Sequence, residues 1–274
     1  MGMLRIVVCG ACGRMGKRII ACAAGGGGIA VVGAVQREGH PCIGADAGEC
    51  AGAGRIGVPV SSDLASSARG ADVIVDFSGR EAAARGAETA AFLGKPIVIG
   101  TTGLGDAERR AVKRASRKVA CLVAPNMSVG VNLLLRLAAE ASRSLGDDYD
   151  VEIVETHHRH KLDAPSGTAL RLARAVAEGR GADLSKAVVY GRKGEPGERP
   201  RGQIGIHAVR QGDIVGDHVV SFAAAGERIE LAHRATSRDT FARGALRAAR
   251  WIAGKPPGIY EMGDVLARRG GGRR

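Results

Sequence analysis

Residues 4–9, Leu-Arg-Ile-Val-Val-Cys, run directly into Gly10-Ala11-Cys12-Gly13-Arg14-Met15-Gly16 and from there into an Ala/Ile-rich stretch. An apolar strand that turns on closely spaced glycines and re-enters as a helix fits few folds. Glycine allows the tight turn and lets a ligand approach the backbone, while the helix N-terminus presents N–H groups with a partial positive charge; together they hold a dinucleotide pyrophosphate. The spacing is G-x-x-G-x-x-G, with Cys12 at the second fingerprint position. Its place between a strand and a helix gives it a weight that the glycines alone lack. The chain is therefore expected to open with a βαβ unit of a doubly wound, parallel sheet.

The same alternation continues to residue 128. Strands are expected at 4–9, 30–35, 73–77, 96–99 and 119–124, with helices at 15–24, 80–92 and 106–116; such continuous apolar runs are how buried parallel strands read. Beyond it a long amphipathic helix is expected at 131–145, a strand at 149–156 and a helix at 169–178. The charged Gly/Pro segment 191–203 has no apolar face and reads as a mobile loop, its plainer alternative being a solvated linker. Strand-like runs at 205–210, 218–223 and 228–233 precede a last helix at 240–252, and 270–274 reads as a disordered end. The expected fold is α/β: a Rossmann-like, doubly wound parallel-sheet domain plus a second α+β domain with a mixed, largely antiparallel sheet.

Composition removes several function classes. The 274 residues carry 42 glycines and 9 prolines and are 45% hydrophobic, which is globular rather than low-complexity. The net charge of +12 invites a nucleic-acid role, but it divides as 16 − 10 = +6 over residues 1–128, 16 − 15 = +1 over 129–238 and 8 − 3 = +5 over 239–274. Eight aromatics offer no stacking platform for single strands, and no zinc-finger spacing or basic heptad occurs. No nucleic-acid partner is expected; an anionic small molecule or Arg-rich solvated faces account for the charge. The longest uncharged stretches, 19–35 and 119–135, are broken by glycines or by Pro125 and Asn126 and fall short of the ~20 residues a membrane helix needs. Met1 leads straight into a strand without a leader, and Cys9, Cys12, Cys22, Cys42, Cys50 and Cys121 form no disulfide framework, so a reducing cytoplasm is expected. The Cys9-x-x-Cys12 pair reads as two ordinary small side chains rather than a redox or metal pair.

Two further signals bear on a dinucleotide. Gln36-Arg37 ends the second expected strand where a carboxylate would hold the adenosine ribose; an uncharged and a basic residue there should tolerate a 2′-phosphate, unless the pair is only an exposed turn. Gly100-Thr101-Thr102-Gly103 places hydroxyls and open backbone at the carboxyl end of another strand, where such sheets bind ligands.

The densest chemistry is Glu155-Thr156-His157-His158-Arg159-His160-Lys161-Leu162-Asp163-Ala164-Pro165-Ser166-Gly167-Thr168. If the strand continues, His157, Arg159 and Lys161 share one face and His158 and His160 the other. Ser166-Gly167-Thr168 at a helix start, with Lys161, can grip a carboxylate. A metal site is the rival, but Lys and Arg beside a dication are unfavourable, and no metal is expected. From the residues alone, an amino-acid dehydrogenase or a nucleotide-sensing regulator stays open beside a reductase, although no basic helix-turn-helix is found.

Taken together, residues 10–16, 100–103, 124–132, 157–168, 212–218 and 233–238 resemble the 4-hydroxy-tetrahydrodipicolinate reductases, also called dihydrodipicolinate reductases, of lysine and diaminopimelate biosynthesis. The His-His-Arg-His-Lys to Ser-Gly-Thr block is the specific part. The chain departs from the family at Cys12 and Gln36, where a glycine and an acidic residue are usual. The resemblance implies an NADPH- or NADH-dependent reduction of a cyclic dicarboxylate. Water leaves the hydroxylated ring, hydride moves to ring carbon 4, and the enamine is protonated on the neighbouring carbon. It implies His157 as the proton donor, Lys161 as a second catalytic cation, and His158, Lys161, Ser166, Gly167 and Thr168 as substrate-binding positions. Gly10, Ala11, Cys12, Gly13, Arg14, Met15, Gln36, Arg37, Gly100, Thr101, Thr102, Ala124, Pro125, Asn126 and Met127 are the implied cofactor positions. It further implies a discontinuous dinucleotide domain of 1–128 and 239–274, a substrate and oligomerisation domain of 129–238, hinges near 127–129 and 237–239 that close the domains over bound ligands, and a homotetramer built through its sheet.

Overall fold

The computed structural model describes residues 2–267; the end segment 270–274 lies outside them. In chain order the elements are β1 (Leu4–Cys9), α1 (Arg14–Ala24), β2 (Ile29–Val35), α2 (Ala47–Cys50), β3 (Val60–Ser61), α3 (Leu64–Ser67), β4 (Val73–Asp76), α4 (Arg80–Leu93), β5 (Ile97–Ile99), α5 (Asp106–Ala115) and β6 (Ala120–Val123). There follow α6 (Val129–Leu145), β7 (Asp150–His157), α7 (Gly167–Arg180), α8 (Leu184–Ala187), β8 (Val188–Tyr190), β9 (Ile204–Arg210), β10 (Gly216–Ala224) and β11 (Glu227–Ala235). The chain ends in α9 (Asp239–Ile252), β12 (Gly258–Tyr260) and α10 (Met262–Leu266). These elements form two compact units, one running up to Val129 and resuming at Arg238, the other Gly130–Ser237.

The first unit is a seven-stranded sheet in the order β12-β6-β5-β4-β1-β2-β3, with every pairing parallel. Its strands are buried on both faces: Ile6 and Val8 pack with α1, α9 and α10, while Val7, Ile74 and Ile97 pack with α4 and α5. The strand order reverses between β1 and β4, and this is where doubly wound sheets leave a crevice. Helix α9 is joined to α1 by an Arg18–Asp239 ion pair at 2.6 Å, worth at most about 1 kcal/mol at a solvated site. Its buried Leu246 and Ile252 contribute more, about 2 kcal/mol each. Packing therefore holds this last helix in place.

The turn after β1 explains two of its glycines. Gly10 has φ +74°, and a Cβ there would lie 2.4 Å from the Phe77 carbonyl oxygen. A Cβ on Gly16 would lie 2.1 Å from the Gly10 carbonyl oxygen, so the helix could not pack on its own entry turn. Gly16→Ala is expected to cost about 2–3 kcal/mol by overpacking. At ~2–4 °C per kcal/mol for a domain of this size, calorimetry should read a midpoint about 4–12 °C lower. An unchanged midpoint would show that the turn has room.

The second unit is a five-stranded sheet, β11-β10-β7-β9-β8, antiparallel across β11-β10-β7 and parallel across β7-β9-β8. Leu134 and Ala138 of α6 and Leu172 and Val176 of α7 pack on Val151, Ile153, Ile206, Val220 and Phe222 of this sheet. Segment 191–203 has no regular structure, yet it is fastened to β7. Arg192 and Arg199 donate to Glu152 at 2.8 and 3.1 Å, and Arg199 also reaches Asp150 at 2.5 Å. Burial alone would raise the Glu152 carboxyl, but these arginines and His207 bring it down to about 2.

Two further features differ from expectation. The strand does not run on through the histidine block: β7 ends at His157, and the chain turns so that the Lys161 N–H donates to the His158 carbonyl at 3.1 Å. The two-faced arrangement of residues 157–161 is thereby replaced by a turn. Elements α2, β3, α3, α8, β8, β12 and α10 are each two to five residues long, too short to establish a period in the sequence.

Candidate active site

At the carboxyl end of the parallel sheet lies a cleft of about 860 Å³ whose lining includes Gly10, Gly13, Gln36, Arg37, Ser78 and Arg80. Four expected cofactor positions thus share one wall. The lining fits a pyrophosphate, because Gly10 and Gly13 bring bare backbone to it at the start of α1, where N–H groups favour an anion. Ala11 and Met127 are buried, Met15 packs on the core, and Arg14, Thr102 and Pro125 are exposed. Gly100 and Ala124 are buried at strand ends, and the Asn126 side chain accepts from the Ser128 N–H at 2.9 Å. None of residues 100–102 or 124–127 lines the cleft. Thr101 instead donates its hydroxyl to Asp76 at 2.7 Å, and Ser78 donates to the same carboxylate at 2.9 Å, tying the ends of β4 and β5 together. Burial pushes the Asp76 carboxyl up. Sequence reading missed the 77–80 segment; its signal was the glycine at 79 between an apolar strand and a helix start. Cys12 takes no part in the cleft and gathers with Cys42 and Cys50, which sequence reading treated as scattered thiols.

The second constellation belongs to the other unit. Strand β7 alternates so that Val151, Ile153, Glu155 and His157 share its buried face. The first two join the apolar core, and the last two carry the same face into polar chemistry. Glu155 is fully buried and multiply satisfied. Arg210, at the end of neighbouring β9, donates to both its oxygens at 2.9 Å, and the Ser166 N–H donates at 3.0 Å. His157 Nδ1 lies 2.5 Å from the remaining Oε2 position. A carboxylate accepts only, so Nδ1 carries the proton it donates, leaving Nε2 as the ring's working atom.

His218 of β10 is the register partner of Glu155, and its ring meets that of His157 edge-on with centroids 5.2 Å apart. Its Nε2 is 3.1 Å from the Ser166 hydroxyl, which also accepts from the Ala169 N–H as the N-cap of α7. The Ser166 hydroxyl is thus committed to the helix cap, and what this segment offers an anion is the first turn of α7 at Gly167 and Thr168. Lys161 holds Asp163 at 2.8 Å, an ion pair whose exposed acid an incoming carboxylate can replace. Among the described residues, Nδ1 of His158 and of His218 are buried without a hydrogen-bond partner. Sequence reading named His157, His158, Lys161, Ser166, Gly167 and Thr168 but missed Arg210 and His218 and gave Glu155 no role.

The electrostatics are those of a buried, cation-rich pocket. Burial would raise the Glu155 carboxyl, but Arg210, His157 and the Ser166 N–H hold it below its ordinary value. Burial pushes His157 down, and nearby Lys161 and Arg210 add to this against the opposing pull of Glu155. His218 is pushed down to about 3, chiefly by burial and then by His157. A histidine lowered on folding binds fewer protons folded than unfolded, so its stability contribution is present at neutral pH and is lost as pH falls from 6.5 toward about 3. His218 alone should cost up to about 2 kcal/mol between pH 6.5 and 5. The expected result is a lower thermal midpoint at pH 5 than at pH 7, with a shallower slope in His218→Gln. Equal midpoints would contradict the assignment.

Known proteins frame this geometry. The family model described as "Dihydrodipicolinate reductase, N-terminus" matches residues 4–127, and "Dihydrodipicolinate reductase, C-terminus" matches 130–266. A 4-hydroxy-tetrahydrodipicolinate reductase from Anaeromyxobacter dehalogenans (strain 2CP-1) is 53% identical, covering 98% of this chain and 100% of the relative. One from Syntrophus aciditrophicus is 51% identical over 97% of this chain and 100% of its own length. A dipicolinate-bound dihydrodipicolinate reductase from Paenisporosarcina sp. TG-14 shares the fold, with a TM-score of 0.77 at 24% identity over 96% of this chain and 100% of that one. No helix among the described residues is long and apolar enough to cross a membrane.

Proposed function

This chain belongs to the dihydrodipicolinate reductase family, and from that premise we propose that it reduces 4-hydroxy-tetrahydrodipicolinate to tetrahydrodipicolinate with NAD(P)H in lysine and diaminopimelate biosynthesis. The observation that carries the reading is the buried Glu155–His157 pair, which leaves Nε2 for a ligand, with Lys161 near enough to act on the ring's charge. In this assignment the first unit holds the dinucleotide: Gly10, Gly13, Gln36 and Arg37 line its cleft, and Ala11, Arg14 and Met15 complete the turn and helix start beside it. Positions 100–102 and 124–127 support the rim. The second unit holds the dicarboxylate and forms the homotetramer through its sheet, on the face where the exposed Val154 aligns in register with Val219 and Ala232. The cytoplasm is the proposed setting.

The bound nicotinamide supplies the hydride that reaches ring carbon 4. The chain's own groups do the rest. Lys161 exchanges its partner Asp163 for a substrate carboxylate, the first turn of α7 receives a carboxylate with the partial positive charge of the helix, and His158, whose carbonyl closes the turn that carries Lys161, completes the substrate positions. His157 Nε2 delivers a proton to the carbon beside the reduced one, and Glu155 holds the ring in the tautomer that makes this possible.

Arrival of a dianion places negative charge beside His157 and raises its depressed pKa. The proton is therefore available when substrate is present. The test is NAD(P)H oxidation on adding the condensation product of pyruvate and aspartate semialdehyde; folded protein that oxidises none would overturn the proposal. For cofactor choice, Gln36→Glu places a carboxylate in the cleft that repels a 2′-phosphate and accepts from ribose hydroxyls. The NADPH-to-NADH preference should fall by about tenfold, equivalent to ~1.4 kcal/mol. A constant ratio would show that position 36 does not meet the ribose.

A further inference from the structure

Cys12, Cys42 and Cys50 come from three separate segments of the first unit: the glycine turn after β1, the loop between β2 and α2, and the last residue of α2. Their Sγ atoms all lie within 4.8 Å of one another. All three are free and half-buried. The segment that carries two of them is already organised. The Asp46 carboxylate caps α2 through the Gly48 and Glu49 N–H groups and also accepts from Ile56, Gly57 and Val58. The Cys42 N–H is fixed to His40 Nδ1 at 3.2 Å. Cys12 is fixed in turn between Gly10, with φ +74°, and Gly13.

Three thiols held together by their backbones do not match the needs of this site's dinucleotide chemistry, since Cys12 does not line the cleft. They do match a soft cation. A metal about 2.3 Å from each sulfur sets neighbouring sulfurs about 3.8 Å apart, inside the 4.8 Å that bounds the separations here. Among the described residues no fourth His, Cys, Asp or Glu atom joins the group, which leaves one coordination position for water or an external thiol.

We propose that Cys12, Cys42 and Cys50 form a three-thiolate site for one thiophilic divalent cation of the zinc class, apart from the reductase site and adjoining the dinucleotide turn. Binding exchanges thiol protons for the cation: S–H bonds break, metal–sulfur bonds form, and up to three protons pass to solvent with no change of oxidation state.

The experiment titrates the reduced full-length protein with Cd²⁺ and follows the thiolate-to-metal absorption, with Zn²⁺ as competitor. Alkylation and mass spectrometry then identify the protected thiols. The expected result is saturation at one Cd²⁺ per chain, displacement by Zn²⁺, and joint protection of Cys12, Cys42 and Cys50 while Cys22 remains reactive. Cys12→Ser, Cys42→Ser and Cys50→Ser should each weaken binding by on the order of 100-fold, and Cys22→Ser should not. Each variant is checked by its thermal midpoint, and the protection pattern in unmutated protein decides the matter if a variant fails to fold. Less than one equivalent bound, affinity undiminished in the three variants, or protection of other cysteines would overturn the site. So would a disulfide among the three that forms in place of metal binding.

Discussion

His157→Gln is expected to lower kcat by about 10²–10⁴-fold with little change in KM, the range for removing a positioned proton donor. The geometry gives the reason. His157 closes the buried face of β7 and is anchored through Nδ1 by Glu155 at 2.5 Å. The ring is thus oriented before any ligand arrives, and only Nε2 is offered to it. Glutamine keeps a polar group of similar reach but has no titratable proton. Because burial depresses His157 in the free protein, kcat/KM should decline as pH rises through that lowered value. The kcat profile should hold to higher pH, since the bound dianion restores the proton. Steady-state rates across pH check both statements. Turnover unchanged in His157→Gln would remove the residue from its role.

The second large effect is structural. Glu155→Ala is expected to cost about 3–5 kcal/mol, because it leaves the Arg210 guanidinium without its bidentate partner in a buried place. It also strips acceptors from His157 and the Ser166 N–H. Denaturant melts read this as a lower midpoint. Glu155→Gln separates positioning from stability: it keeps the volume but loses the negative charge that supports a proton on His157. The decline of kcat/KM with rising pH should then begin at lower pH than in the unmutated protein. A pH profile that does not move would mean that Glu155 serves the fold alone.

The contrast between these two residues shows what a linear sequence can carry. His157 stands out by its own chemistry and by three histidines in four positions, so reading along the chain finds it. Glu155 is chemically unremarkable in a strand that alternates inside and outside, and its role appears only when Arg210 arrives from β9 and Ser166 from the start of α7. His218 is further hidden, because its place beside Glu155 depends on the antiparallel register of β10 with β7. The turn from Gly10 to Gly16 was legible because strand, loop and helix are contiguous there. Cys12, Cys42 and Cys50 were not, because a three-dimensional cluster leaves no spacing in one dimension. Likewise, the 191–203 segment reads as solvated from its composition, whereas Arg192 and Arg199 find acidic partners on β7 that adjacency in sequence does not disclose.

The central claim is that hydride goes to ring carbon 4 and that a proton, handed on by His157, goes to its neighbour. The most direct measurement traces the isotope from NADPH carrying deuterium at both C4 positions of the nicotinamide into the product in ordinary water. The account predicts one deuterium at ring carbon 4 and a hydrogen of solvent origin on the adjacent carbon. Product with no deuterium in the ring, or with deuterium at another carbon, would contradict it.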